Sequence, residues 1–148
     1  MNELPYAENI NYWRTTKSSS DKVMDNVEML LSKLDGIVHV RAFGKEGNRE
    51  AFLLEFTLDG QRYRIVWPVL PTKTFTSSVR CAARVQAAVM IYHDVKAKLV
   101  SALVQGTRRA FFNYLLLPNG IVASDIASQD LLKEIPQLLT PTIDVEIV

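Results

Sequence analysis

The reactive side chains of this sequence are few: one cysteine, Cys81, and two histidines, His39 and His93. Cys81 follows Arg80 near the start of a helical stretch, where a helix dipole and a cation favour the nucleophilic thiolate. It also falls in an apolar stripe, where a cysteine behaves as a small hydrophobe, so burial is the expectation. His93 and Asp94 are an acid/base pair by type, but successive helical residues point about 100° apart and do not face each other. They are read as structural or solvated. No cysteine pair or carboxylate cluster has metal-ligand spacing, and His39 and His93 sit on different elements, so neither metal nor cofactor is expected.

Glu50 and Glu55 lie five positions apart on a strand and therefore on opposite faces, which removes them as paired carboxylates. Gly44-Lys45-Glu46-Gly47 lacks the spacing of a phosphate-binding loop and joins two strands, so it reads as a turn. The chain is expected to be non-catalytic. An enzyme would need a pocket around Tyr92, His93 or Asp94.

The charge distribution is the more informative signal. The net charge is only +1, yet residues 1–59 carry 7 basic and 10 acidic side chains, residues 60–114 carry 9 and 1, and residues 115–148 carry 1 and 5. A middle segment of net +8 is expected to present a surface to an anionic partner, unless the acidic segments cover it. Strand alternation places Arg62 and Arg64 on one sheet face, with His39 and Arg41 joining them. Lys73, Arg80 and Arg84 sit in a linker and the first turns of a helix, whose N-terminus also favours anions. Arg108 and Arg109 add to this cluster if the fold brings them near. In the N-terminal arm, Trp13 and Arg14 mix a flat ring with a cation, as in proteins that stack on unpaired bases. The competing reading of the arm is an aromatic lid folded back on the core.

The elements that position these residues follow from periodicity. Residues 1–19 form an arm, and Ser19 or Ser20 caps a helix from Asp21 to about Leu34, with Val23, Val27, Leu30, Leu31 and Leu34 on one face. From Ile37 the period becomes two, with Val38, Val40 and Ala42 opposite His39, Arg41 and Phe43. A second strand carries Phe52, Leu54, Phe56 and Leu58. Asp59-Gly60 marks a tight hairpin to a third strand, residues 61–67, with Tyr63, Ile65 and Trp67 inward. Pro68 and Pro71 end the sheet. Ser77 or Ser78 caps a long helix running to about Gln105, whose stripe is Cys81, Val85, Ala88, Tyr92, Val95, Leu99 and Ala102, with Arg80 and Arg84 on the wet side. Residues 108–117 read as a fourth strand, Pro118-Asn119-Gly120 as a turn, the region from Ser128 to before Pro136 as a short helix, and 140–148 as an extended tail.

The fold class is therefore α+β: an antiparallel sheet of three to four strands packed on a long helix, an αβββα core followed by a strand and a short helix. The 148 residues are read as one domain. Hydrophobic residues make up 48% and charged residues 22%, the composition of a folded protein. A single cysteine, and a start without the basic-then-apolar order of a signal peptide, point to the cytoplasm. No run approaches the roughly 18 apolar residues of a membrane span.

The order helix, three antiparallel strands, helix resembles the double-stranded-RNA-binding domain, whose phosphate contacts would correspond to Lys73, Arg80 and Arg84. A similar strand-strand-strand-helix core occurs in single-strand annealing proteins. Through Tyr12-Trp13-Arg14-Thr15, Val66-Trp67-Pro68-Val69 and Tyr92-His93-Asp94-Val95-Lys96-Ala97, the chain also resembles small uncharacterised proteins of bacteriophages and mobile elements, which implies an accessory role. Two functions from different classes are expected. The first is a nucleic-acid-binding accessory protein using Arg62, Arg64, Lys73, Arg80, Arg84, Arg108, Arg109, Trp13 and Arg14. The second is a protein-interaction module, such as a phage-encoded inhibitor of a host protein, or a homo-oligomer.

Overall fold

A computed structural model describes residues 3–123. Ser19 accepts a hydrogen bond from the Lys22 N–H and so starts α1 (Ser20–Ser32), which buries Val23, Met24, Val27, Leu30 and Leu31. The helix ends through Asp35 in the left-handed region (φ 55°) and a Gly36 N–H donated to the Leu31 carbonyl. Gly36 is required there: a Cβ would lie 2.6 Å from Leu58 Cδ2 and 2.8 Å from the Leu31 carbonyl oxygen. Close approach of helix end to sheet is thus built on one missing side chain.

Three antiparallel strands follow in the order β1-β2-β3: β1 (Ile37–Glu46), β2 (Arg49–Leu58) and β3 (Gln61–Pro68). Asp59 and Gly60, both with positive φ, make the two-residue hairpin that the sequence announces. On the inner face Leu54, Phe56, Leu58, Tyr63 and Ile65 are buried against the helices. Phe56 and Tyr63 stack with centroids 5.7 Å apart, and Phe111 meets both edge-on at 6.0 and 5.9 Å. Thr76, and not the expected Ser77 or Ser78, caps α2 (Ser77–Gln105) by accepting from the Val79 N–H, and no helix among the described residues is long and apolar enough to cross a membrane. The helix-strand-strand-strand-helix order of the sequence reading is thus present, and the fold is α+β.

Four further local expectations are corrected. First, β1 carries a bulge at His39: Val38 pairs with Phe56, but Val40 pairs with Glu55. One extra residue exchanges the faces beyond it. Arg41 therefore points to the helix side, where it binds Asp25 at 2.6 Å and Glu28 at 2.8 Å, and does not join Arg62 and Arg64. Second, residues 108–117 are not a strand. After Gly106 the chain forms α3 (Thr107–Ala110) and a 3-10 turn (Phe112–Tyr114), and only Leu115 and Leu116 make isolated bridges, to Tyr63 and Val122. The run is apolar because Phe111, Leu115 and Leu117 each plug the core from an irregular backbone.

Third, Cys81 is exposed. Fourth, Arg80, assigned to the wet side, is only 8% exposed. The predicted stripe holds for Ala88, Val95, Leu99 and Ala102, but in the first turns α2 buries Arg80, Ala83 and Ala87 instead. Alanines on two adjacent faces made both stripes apolar, and a buried partner of Arg80 decides between them. The expected short helix near Ser128 and the tail 140–148 lie outside the described residues.

Candidate interaction groove

The partner of Arg80 is Glu50. Along β2 the inner face reads Glu50, Phe52, Leu54, Phe56, Leu58, so a carboxylate occupies a core position, its side chain 4% exposed. A buried charge has to be paired. Arg84 donates from Nε and Nη2, each at 3.0 Å, and Arg80 from Nη2 at 3.3 Å. Arg80 also donates Nη1 to the Leu70 carbonyl and to Thr72 Oγ1. These hydrogen bonds, that of Arg84 above all, hold the Glu50 carboxyl below the usual carboxylate range against the opposing effect of burial. Each guanidinium also lies over a ring, Arg84 5.3 Å from the Phe43 centroid and Arg80 5.6 Å from that of Phe75.

The sequence-predicted cations are not gathered into one surface. Arg80 and Arg84 are committed to Glu50, and Arg64 to Glu55 at 2.6 Å. Lys73 is exposed beside the arm, its backbone N–H donated to the Glu8 carboxylate at 2.9 Å. Arg62 is exposed on the outer sheet face, and Arg109 is exposed on α3, while Arg108 beside it is half-buried. Trp13 packs against the core with Arg14 over its ring at 5.4 Å, which is the lid arrangement. His93 stacks on Tyr12 at 4.5 Å, while Asp94 accepts from the Tyr114 hydroxyl and pairs with Lys98, so His93 and Asp94 serve different neighbours.

The outer face of the sheet is divided along its length. At the end away from the hairpin formed by β1 and β2, the register aligns Glu55 with Arg64 and Thr57 with Arg62, and His39 Nε2 lies 2.7 Å from Thr57 Oγ1. At the hairpin end, it aligns Ala42, Leu53 and Val66 in one row and Gly44, Ala51 and Pro68 in the next. Val66 is 59% exposed. This apolar half forms part of an open groove of about 1510 Å³, which residues Leu4, Pro5 and Tyr6 of the arm also line. Lys45 and Arg49 contribute two cations to the lining, and Glu3, Glu46 and Glu50 three acids, of which Glu50 is held by Arg84 and Arg80. The groove includes five consecutive residues of β1, Ala42 to Glu46, on the strand at the edge of the sheet.

No family model, no curated protein and no solved structure matches this chain.

The groove was missed from sequence because its arm residues lie about 40 positions from β1. Glu50 left a signal: a single acid in phase with four core residues of a strand, which demands cations from elsewhere.

Proposed function

We propose that this protein is a non-catalytic protein-interaction module that takes an extended, apolar segment of a partner protein into the groove. The observation that carries the reading is the contiguous apolar lining, Ala42, Ala51, Leu53, Val66 and Pro68 with Leu4 and Tyr6, left open among the described residues. Contiguous exposed apolar surface rimmed by polar groups marks interaction sites. An edge strand running along the groove suits a segment that adds its own backbone to the sheet. Three acids against two cations give the lining no net attraction for polyanions. The resemblance to proteins of bacteriophages and mobile elements supports a host protein in the cytoplasm as the source of that segment.

The test is selection of a random peptide library on the immobilised protein, repeated on a Leu53→Glu, Val66→Glu variant. The expected outcome is enrichment of peptides with alternating apolar residues, lost in the variant because two carboxylates then stand on the groove floor. Enrichment that survives the variant, or none at all, refutes the reading.

Nucleic-acid binding is the second reading, favoured by the exposed cations Arg62, Lys73 and Arg109. Fluorescence anisotropy with single- and double-stranded DNA and RNA separates the two, since binding through phosphates weakens steeply with salt. The control is Arg62→Glu with Arg109→Glu. Charge reversal at Arg80 or Arg84 would strike the core ion pairs and confuse loss of binding with loss of fold.

A further inference from the structure

One buried side chain, Gln86, hydrogen-bonds three backbone carbonyls of the arm that walls the groove. Gln86, at 1% exposure in the middle of α2, donates Nε2 to the carbonyls of Ala7 (2.8 Å), Ile10 (3.2 Å) and Asn11 (3.1 Å), while its Oε1 accepts nothing among the described residues. The amide orientation is fixed by this geometry, because a flipped amide would aim an oxygen at three oxygens. Around that grip, the Ala7 N–H donates to the Pro71 carbonyl at 2.8 Å, the Glu8 carboxylate accepts the Lys73 N–H, and Tyr12 stacks on His93. Ala7 is completely buried, whereas Leu4 and Tyr6, the residues that line the groove, are 51% and 48% exposed. The wall residues are thus placed by what holds Ala7 to Asn11 and have little packing of their own.

From this arrangement we infer that the arm is a strap and Gln86 its positioning residue, so that losing the grip of Gln86 loosens the arm and with it the wall of the groove. The inference rests on the groove reading given above. Pulling the strap away leaves an apolar sheet face with no wall, and docking becomes conditional on the arm.

The experiment measures amide hydrogen exchange at Ala7, Asn9 and Ile10, together with peptide capture, in the wild type, Gln86→Leu and Gln86→Glu. A leucine cannot donate, and a glutamate donates one hydrogen only when protonated. Protection of the three amides is therefore expected to fall roughly tenfold or more in Gln86→Leu, the change that losing about 1.4 kcal/mol of hydrogen bonding produces. In Gln86→Glu protection should be retained at acid pH and lost as the carboxyl ionises, a dependence that a merely space-filling role would not give. Peptide capture should follow the arm. Protection unchanged in both variants overturns the assignment of Gln86. A released arm with undiminished capture overturns the strap and leaves the groove standing. If the wild type captures no peptide, the groove reading falls, and exchange alone decides whether Gln86 holds the arm. Should Gln86→Leu fail to fold, Leu4→Asp with Tyr6→Asp tests the wall without touching a buried residue, and undiminished capture there also overturns it.

Discussion

The Glu50 carboxylate takes two hydrogen bonds from the Arg84 guanidinium, each at 3.0 Å, and so joins the start of α2 to the inner face of β2. With Arg80 at 3.3 Å it gathers the +8 segment's two central arginines around a single acid of the preceding segment.

That relationship makes Glu50 the most sensitive acid described here. Glu50→Gln would leave Arg80 buried without its counter-charge, and breaking a buried pair costs about 3–5 kcal/mol. Urea denaturation at neutral pH should show the loss. The pH dependence has a definite sign: Glu50 is held below its ordinary value of 4.5 by its arginines, so its contribution is present above that pH and is lost as pH falls through the lowered folded value. The wild type should therefore lose stability on acidification, and Glu50→Gln should flatten that part of the profile.

Tyr63 behaves oppositely. Its hydroxyl is buried with no hydrogen-bond partner among the described residues, and desolvation pushes the phenol up to about 12. The folded protein keeps the proton where the unfolded chain, near 10, would release it, so stability present below pH 10 is lost as pH rises through the folded value. Tyr63→Phe removes a hydroxyl that gains nothing, and equal or greater stability at pH 7 is expected, with a flatter alkaline limb. A clear loss at neutral pH would mean the hydroxyl is in fact satisfied.

Cys81 supplies a simple check on the orientation of α2. An exposed thiol should react with a disulfide reagent such as DTNB in the native protein, to one equivalent and without denaturant. Reaction only after unfolding would return Cys81 to the buried stripe and rotate the first turns of the helix.

What the sequence made legible was local. Ser19 capping α1, the alternation of Phe52 to Leu58, the Asp59-Gly60 hairpin and the C-terminal half of the α2 stripe each depend on neighbours within a few residues. What stayed hidden depends on distant pairs. Arg80 turns inward because Glu50, 30 positions away, waits there, and Arg41 changes face because one strand holds one residue more than its partner across Val38 to Val40. The apolar run after Arg109 gave the pattern of a strand while its side chains fill the core from a turn, a distinction that hydrophobicity without regular period does not make. The candidate site suffered most, since its cations were counted along the chain and the acids that occupy Arg64, Arg80 and Arg84 come from β2.

The bulge at His39 has a bearing on the length that β1 can tolerate. Val38 faces Phe56 and Val40 faces Glu55, so the two flanking residues already hold the positions of an uninterrupted ladder. Striking out His39 would join them without exchanging either face, so β1 is a regular strand carrying one extra residue. Deletion of His39 is therefore expected to leave Arg41 with its acids and Ala42 in its place in the groove.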